Sequence, residues 1–380
     1  MNNLNLNLEK CCGCSSCSDA CPQHAIEMVE NEKGFLIPQI NEDLCVNCGL
    51  CVEICDFKKD KYSENNTTHA YSLVVNNKDV LEKSTSGGAF SVLSNAVFMQ
   101  DGVVAGCVME KDFTIHHVVT SDKTGRDKMR RSKYVQSDMS GIWQSMRKEL
   151  ETGRLVLFTG TPCQCAAVKS RFGNHYENLL VVDFLCHGVP NNKMFKEHVR
   201  FLEGKYNKKI FDYTFRDKRY GWNGTNNNVL TDKGWRSKWI NQVSYQFFTS
   251  GLSLRDCCFG CPYRSQHRPS DITIADFWGI EKLTHKKNHT GVSLVLTHSP
   301  KGEALLECAK KDCVLVEYPF EKVESRIAIS SAPKPKKYEQ FWDIYGKNGY
   351  EGLVKVFFDN SYKNRIRYEI RKVSKKLKLS

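Results

Sequence analysis

The chain has 380 residues, 41% hydrophobic and 26% charged, with a formal net charge of +12. That size suits two or three domains, and no apolar run reaches the eighteen or so residues of a membrane span, the longest (around Gly88 to Met99) being broken by Ser91, Ser94 and Asn95. The positive charge is uneven: from Lys355 to Ser380 nine Lys/Arg face only Asp359 and Glu369, so most of the excess lies in a tail and does not form a nucleic-acid-binding face.

The start, MNNLNLNLEK, lacks the basic opening and apolar core of a signal peptide. Eighteen cysteines without a secretion signal imply reduced thiols used for metal or catalysis, and a cytoplasmic protein. The first eight stand in two identically spaced runs. Cys11, Cys14, Cys17 and Cys21 precede Pro22, and Cys45, Cys48, Cys51 and Cys55 repeat the spacing 34 residues later. This is the two-cluster ferredoxin run, in which the fourth cysteine of each run serves the other cluster. One [4Fe–4S] cluster is thus expected on Cys11, Cys14, Cys17 and Cys55, and a second on Cys45, Cys48, Cys51 and Cys21. Disulfides would need an oxidising compartment, and zinc knuckles space their CxxC pairs differently. Cys12 stands beside Cys11, so spacing alone selects the ligand, and Asp56 replaces the proline expected after Cys55. Ala25–Val29 and Gly34–Ile40 read as a hairpin turning at Asn31 to Lys33. Residues 1–60 therefore predict an α+β ferredoxin-like domain, followed by a polar linker from Lys61 to His69.

Beyond the linker, strands and helices alternate. Strands are expected at Tyr71–Val75, Val103–Val108, Ile115–Thr120, Leu155–Thr159, Leu179–Leu185, Ile210–Phe215, Ile272–Ala275, Val292–Thr297 and Val314–Tyr318. Helices are expected at Ala89–Met99, Ser140–Glu151, Gln164–Arg171, Lys193–Glu203 and Gly302–Lys311. The pattern predicts an α/β body with a mainly parallel or mixed sheet. It divides into an amino-terminal part at 70–150 and a carboxyl-terminal part at 151–325, and a basic helical tail fills 326–380. Arg216 to Gly251, rich in Asn, Gly and Trp, fits an insertion or a lid. In the tail, Ile366, Ile370, Val373 and Leu377 recur at helical spacing. Such a basic amphipathic helix suits an anionic inner-membrane surface or an acidic partner, or else a solvated terminal helix.

Three motifs in the body carry chemistry. Ser84-Thr85-Ser86-Gly87-Gly88 precedes a helix, where small residues and a helix N-terminus favour a phosphate, although the same residues make an ordinary N-cap turn. Arg126, Arg130, Arg131 and Lys133 are a basic cluster suited to a pyrophosphate or an acidic substrate, or a solvated charge run. Cys163 and Cys186 follow predicted strands, and Cys258-x-x-Cys261 follows downstream. Four thiolates are enough for a third [4Fe–4S] cluster, with Cys165 and Cys257 as substitutes. The other reading is two buried small hydrophobes and a zinc or redox CxxC. Cys107, Cys308 and Cys313 fit core positions. Asp271 and Asp276 bracket a short apolar strand, and Asp276 at its end can orient a flavin or cap the following turn.

Together, Thr161-Pro162-Cys163-Gln164, Cys186-His187-Gly188, Cys258-x-x-Cys261-Pro262 and Asp271-x4-Asp276-Phe277-Trp278-Gly279 resemble the coenzyme F420 hydrogenase/dehydrogenase beta-subunit family. Ser84 to Gly88 and Ser132-Lys133-Tyr134-Val135-Gln136-Ser137 fit its amino-terminal part, and the ferredoxin run fits its fused members. The resemblance spans residues 1 to about 325. It implies an FAD-containing iron–sulfur flavoprotein with one [4Fe–4S] cluster beside the flavin, held by Cys163, Cys186, Cys258 and Cys261. It also implies Ser86, Gly87 and Gly88 at the FAD phosphates, Arg131 in the cofactor site, and His187, Lys133 and Asp276 near the flavin or substrate. The implied partners are an electron carrier such as ferredoxin and a deazaflavin or other small-molecule acceptor, in some members a polysaccharide-pathway compound. The competing reading is an electron-transfer adaptor without turnover of its own.

Overall fold

The computed structural model of the chain describes residues 8–55, 69–173, 175–222, 226–285, 288–323 and 333–377. The expected linker from Lys61 to His69 lies outside them except for His69. The first segment contains α1 (Ser16–Ala20), β1 (Ile26–Glu30), β2 (Leu36–Ile40) and α2 (Leu50–Glu53). β1 and β2 form the expected antiparallel hairpin, with Ile26 opposite Ile40. The segment is ferredoxin-like.

The body begins with β3 (His69–Val75), α3 (Lys78–Glu82), α4 (Ala89–Phe98), β4 (Val103–Met109), β5 (Ile115–Thr120), α5 (Lys123–Met129) and α6 (Ile142–Glu151). It continues with β6 (Val156–Thr159), α7 (Pro162–Phe172), β7 (Leu179–Phe184), α8 (Asn192–Tyr206), β8 (Asp212–Thr214), β9 (Asn228–Thr231), β10 (Gly234–Arg236) and α9 (Val243–Thr249). Then come β11 (Ile272–Asp276), α10 (Glu281–Thr284), β12 (Ser293–Thr297), α11 (Pro300–Ala309), β13 (Cys313–Tyr318), α12 (Tyr338–Phe357) and α13 (Tyr362–Leu377).

Eight strands make one mixed sheet in the order β13-β3-β12-β11-β7-β6-β4-β5. Its centre, β4-β6-β7-β11, is parallel, and β5, β12, β3 and β13 add antiparallel flanks. The parallel strands read as unbroken apolar runs, such as Val156-Leu157-Phe158, because helices cover both faces. Edge strand β13 instead alternates, exposing Val314 and Val316. One face packs on α4 and α11 through Val92, Leu93, Ala96, Leu305 and Leu306. The other packs on α6 and α7 through Trp143, Met146, Val168 and Phe172.

Two expectations are corrected. Arg216 to Gly251 is no detached lid, since β8, β9 and β10 form a second, antiparallel sheet and α9 buries Val243, Phe247 and Phe248. Nor is 326–380 simply a tail. α12 buries Tyr338, Phe341, Trp342, Tyr345, Tyr350 and Leu353 in a core shared with α8, the small sheet and Phe35 of the first segment. The kink in α12 falls at Gly349, whose φ of 63° favours glycine. Among the isolated cysteines, Cys313 is buried as expected, but Cys308 is exposed on α11.

The first segment is joined to the body by polar contacts as well as by Phe35. Trp143 Nε1 donates to Cys14 O at 3.2 Å, and Asn191 Nδ2 donates to Lys33 O at 2.5 Å. Asp19 pairs with Arg171 at 3.4 Å and with Arg147 at 3.6 Å. Phe341 is fully buried at the centre of the shared core. Phe341→Ala should therefore destabilise the protein by about 3–5 kcal/mol, measured as a lower denaturant midpoint.

Candidate functional site

Loops at the carboxyl ends of adjacent parallel strands build the site, the place where open α/β sheets collect ligands. After β6, Thr161 caps α7 with Pro162 in the first turn. Gln164 Oε1 accepts from Thr161 N at 3.0 Å, completing a capping box. This fixes Cys163 in the first helical turn, so Thr-Pro-Cys-Gln is a device for aiming one thiol. After β7 come Cys186, His187 and Gly188. Gly188 has φ of +132°, and a Cβ there would lie 2.7 Å from Leu254 and 3.1 Å from Cys258 Cβ. Glycine thus lets this loop approach the turn that carries Cys258 and Cys261.

These pieces converge. Cys163, Cys186, Cys258 and Cys261 line one pocket of about 400 Å3 with Pro162, His187 and Arg264. A second pocket of about 410 Å3 is lined by Cys21, Cys45, Cys48 and Cys51. That is the cross-run grouping expected from spacing. The remaining run cysteines also associate: burial pushes the Cys17 thiol up, and charge on Cys14, Cys11 and Cys55 adds to the effect. Cys12 sits between this set and the body pocket, its thiol within hydrogen-bond reach of Cys14 and Cys163.

The donor sets fit iron–sulfur cubanes in their chemistry. Burial first, then neighbouring thiols, raises Cys186 well above the ordinary thiol range, and burial and Cys163 push Cys261 up to about 12. In the same pocket a hydrogen bond with Cys12 brings Cys163 down to about 7 and one with Cys257 lowers Cys258, so the four thiols are unequal and a strongly positive group would be needed to hold them all as anions together. Among the described residues no three Cys, His, Asp or Glu side chains converge on a single-ion position. The thiols instead surround volumes, as a many-atom group requires.

A second constellation lies beside the body pocket. Asp276, at the end of β11, accepts from Arg216 and, at 2.7 Å, from Trp222 Nε1. It does not cap the following turn. Trp222 stacks on Trp278 at 4.6 Å, and the Arg216 guanidinium lies 5.2 Å over Trp278, which stays 46% exposed. Lys218 Nζ donates to Ser86 O at 2.7 Å and Leu81 O at 2.8 Å. Burial chiefly pushes this ammonium down to about 7; Asp276 opposes the shift, and Arg216, Arg131 and Arg130 reinforce it. A lysine held down chiefly by burial, with three arginines nearby, is a group whose charge an anion would stabilise.

Several expected site residues are placed differently from the sequence reading. Ser86 Oγ donates to Val292 O at 2.7 Å, and Gly87 N donates to Ser293 Oγ at 3.0 Å. A Cβ on Gly87 would fall 2.0 Å from Leu73 O, so this glycine first serves close packing on β3. Gly88, with φ of 91°, caps α4. Lys133 Nζ donates to Met129 O, Arg130 O and Arg131 O, clasping the turn instead of presenting a free ammonium. Arg131 reaches Thr214 Oγ1 at 3.3 Å within the cationic group. Arg126 is turned away, bonded to Ser91 O, Asn95 and Asp127. Asp271 is structural: it accepts from Val181 N at 2.8 Å and pairs with Lys169 at 3.2 Å.

His187 belongs to the thiol pocket. Its ring meets Phe248 edge-on at 5.0 Å, and Phe248 stacks on Tyr134 at 4.8 Å. The Tyr134 hydroxyl is within hydrogen-bond reach of Arg216. Aromatic rings thus connect the thiol pocket to the Asp276 constellation. Burial lowers the His187 pKa, so the ring is neutral near pH 7 and not a ready acid. Sequence reasoning missed Arg216, Lys218, Trp222, Tyr134 and Arg255 as site residues, although the three cations and one tryptophan in 216–222 were a signal.

The fold and its thiol sets define a two-part protein, a ferredoxin-like segment with the dicluster cysteine spacing and an α/β body with a four-thiol pocket. Comparison with known proteins names both parts. Residues 10–59 match the 4Fe-4S dicluster domain. Residues 153–322 match the family of the coenzyme F420 hydrogenase/dehydrogenase beta subunit, over the C terminus of that subunit. An uncharacterized polyferredoxin-like protein of Methanocaldococcus jannaschii is 38% identical over 55 residues, 12% of this chain and 33% of that protein. The chain therefore spans about one third of the length of that relative. A chain of the F420-reducing [NiFe] hydrogenase complex from Methanosarcina barkeri aligns over 80% of this chain and 92% of its own, at 17% identity and a TM-score of 0.45.

Cys258→Ala should lower the iron content of anaerobically purified protein by about four atoms, leaving the iron of the first segment in place. Unchanged iron would remove Cys258 from the donor set.

Proposed function

We propose that the protein is an iron–sulfur flavoprotein oxidoreductase. It exchanges electrons with a low-potential carrier such as ferredoxin, and hydride with an organic acceptor resembling a deazaflavin or drawn from a polysaccharide pathway. Two [4Fe–4S] groups on Cys11, Cys14, Cys17, Cys55 and on Cys45, Cys48, Cys51, Cys21, a third on Cys163, Cys186, Cys258, Cys261, and FAD would together convert single-electron transfer into two-electron chemistry. The observation that carries this reading is the four-thiol pocket, joined through the rings of His187, Phe248 and Tyr134 to the cationic group of Arg216, Lys218, Arg131 and Arg130.

The chain's residues have separable roles. Lys218 and Arg131 neutralise a phosphate near the start of α4, where Ser86 to Gly88 hold the backbone close to β3. Trp278, braced by Trp222 and Arg216, offers a half-open face for a planar ring. Asp276 keeps Arg216 in place. Neutral His187 accepts or relays a proton at Nε2, an atom buried without a hydrogen-bond partner in the structure. Cys48 is the exposed thiol of the Cys21/Cys45/Cys48/Cys51 set, and Leu44 and Val46 beside it are 51% and 63% exposed. The carrier meets the protein there, because transfer is fastest where a group lies near the surface.

Lys218→Met should release flavin while leaving iron intact, read from the flavin and iron content of anaerobic protein. A parent protein with iron and sulfide but no flavin would leave only the adaptor reading, in which clusters relay electrons to a partner without turnover.

α13 supports a membrane contact. No described helix is long and apolar enough to cross a bilayer. α13 instead docks on the body through Tyr368, whose hydroxyl lies 2.8 Å from Ser237 Oγ, and exposes Ile366, Ile370 and Val373 on the opposite side among Lys363, Arg367 and Arg371. A short apolar stripe within basic residues suits an anionic lipid surface. The double variant Ile366→Glu/Ile370→Glu should abolish cosedimentation with phosphatidylserine vesicles, and binding to neutral vesicles should be weak throughout.

A further inference from the structure

The first thiol set and the body pocket meet around one buried cation that neither set explains. Arg255 is 3% exposed and stands at the head of the turn that delivers Cys257 and Cys258. Its Nε donates to Cys11 O at 2.6 Å, its Nη1 to Gln136 Oε1 at 3.1 Å and its Nη2 to Leu36 O at 2.7 Å. Gln136 Nε2 in turn donates to Cys12 O at 2.7 Å. On the backbone, Arg255 N donates to Val189 O, just after Cys186 to Gly188, and Cys258 N donates to Arg255 O. One side chain thereby ties the first cysteine loop and the hairpin to two loops that line the body pocket.

None of these acceptors carries a charge. The neighbouring carboxylate, Asp256, pairs with Lys33 at 2.9 Å and Lys334 at 3.0 Å. Burying a guanidinium among neutral oxygens is costly. The Phe35 ring lies 5.3 Å beneath it, and the same guanidinium holds the Cys11 carbonyl while its residue heads the turn of Cys257 and Cys258, so cluster-bound sulfur on either side would supply the missing negative charge. The two sets also touch through Cys12, whose thiol reaches both Cys14 and Cys163. Gly13, with φ of +65°, keeps the gap closed, since a Cβ there would lie 2.8 Å from Arg255 Nη1 and 2.8 Å from Leu36 O.

We propose that Arg255, held by Gln136, is a positioning residue that fixes the junction between the Cys11/Cys14/Cys17/Cys55 group and the Cys163/Cys186/Cys258/Cys261 group and raises the reduction potential of both. The inference rests on the cluster reading above. When one electron passes across the junction, one group is oxidised as the other is reduced, and each gains negative charge in its reduced form. A fixed cation between them favours both reduced forms, so neither becomes a deep trap relative to the other. The Cys21/Cys45/Cys48/Cys51 group, on the other side of the hairpin, lies outside its contacts.

The test is a redox titration followed by electron paramagnetic resonance on anaerobic full-length protein, with iron and sulfide measured on the same samples. Arg255→Gln should keep the parent's iron, move two of the three midpoints to more negative potentials and leave the third unchanged. Arg255→Lys, which keeps the charge but loses the fork, should hold those midpoints closer to the parent values. Where Arg255→Gln does not accumulate, Gln136→Glu supplies the test: a carboxylate against Arg255 cancels its charge and should lower the same two midpoints. Full iron with all midpoints unmoved overturns the proposal and leaves the cluster reading standing. A parent protein without iron overturns the cluster reading itself.

Discussion

A thiol withdrawn from water becomes an anion only where a neighbouring donor or positive charge stabilises it, and the cysteine groups of this protein follow that constraint. Of the twelve run and pocket cysteines only Cys48 is exposed and the rest are half-buried, and in the body pocket neighbouring thiols lower Cys163 and Cys258 while burial raises Cys186 and Cys261. Arginines supply compensating charge: Arg255 at the junction and Arg264 and Arg268 in the lining of the body pocket, with Lys218 and its arginine neighbours at the cleft. Burial works against both Arg255 and Lys218 as cations, although at Arg255 the net direction is towards the charged form. Under the proposed function the other half of each electrostatic pair would be negative, reduced sulfur clusters in one case and a phosphate in the other.

The sheet decides where these halves meet. Because β6, β7 and β11 run parallel and adjacent, their carboxyl ends present Cys163, Cys186 and Asp276 side by side. Rigid strands behind them and short capped turns in front limit how far each group can move, which suits electron transfer with its steep dependence on distance. The small antiparallel sheet then adds Arg216 from beyond its first strand and Lys218 and Trp222 just after, closing one side of the cleft. A body that gathers sulfur and cations on one edge is already arranged for a charge relay before any cofactor is considered.

Much of this was legible in the sequence where chemistry is written in spacing. The two cysteine runs foretold the cross-run grouping of Cys21 with Cys45, Cys48 and Cys51, because C-x2-C-x2-C-x3-C allows few loop geometries. Strand-end placement foretold that Cys163 and Cys186 would share a crevice with Cys258 and Cys261. Thr-Pro-Cys-Gln was readable as a motif, and the capping box gives its reason. What was not legible depended on partners distant in the chain. Asp276 looked like a strand-end carboxylate; its bond to Arg216, 60 residues away, has no local signature. Lys133 sat in a basic run, yet its ammonium closes a turn. α12 reads as tail because its aromatics follow a basic, polar stretch, but Tyr338, Phe341 and Trp342 are core. Arg255 was hidden most completely, since its partners Cys11, Leu36 and Gln136 come from two other regions of the chain.

Fusing the ferredoxin segment to the body changes what the interface must do. A separate ferredoxin has to bind, transfer and leave, so its contact with a partner stays small and weak. Here the contact includes a buried phenylalanine in the body's own core, an indole bonded to a cysteine carbonyl and a guanidinium joining two cysteine loops. None of these suits repeated dissociation. Under the proposed function, exchange with a mobile carrier would fall to the Cys48 loop with its exposed Leu44 and Val46, and the inner junction would be free to be permanent. A permanent contact would let a single buried charge act on both sides of that junction at once, since a guanidinium that is 3% exposed and bonded to neutral oxygens of both parts is suited to a fixed interface.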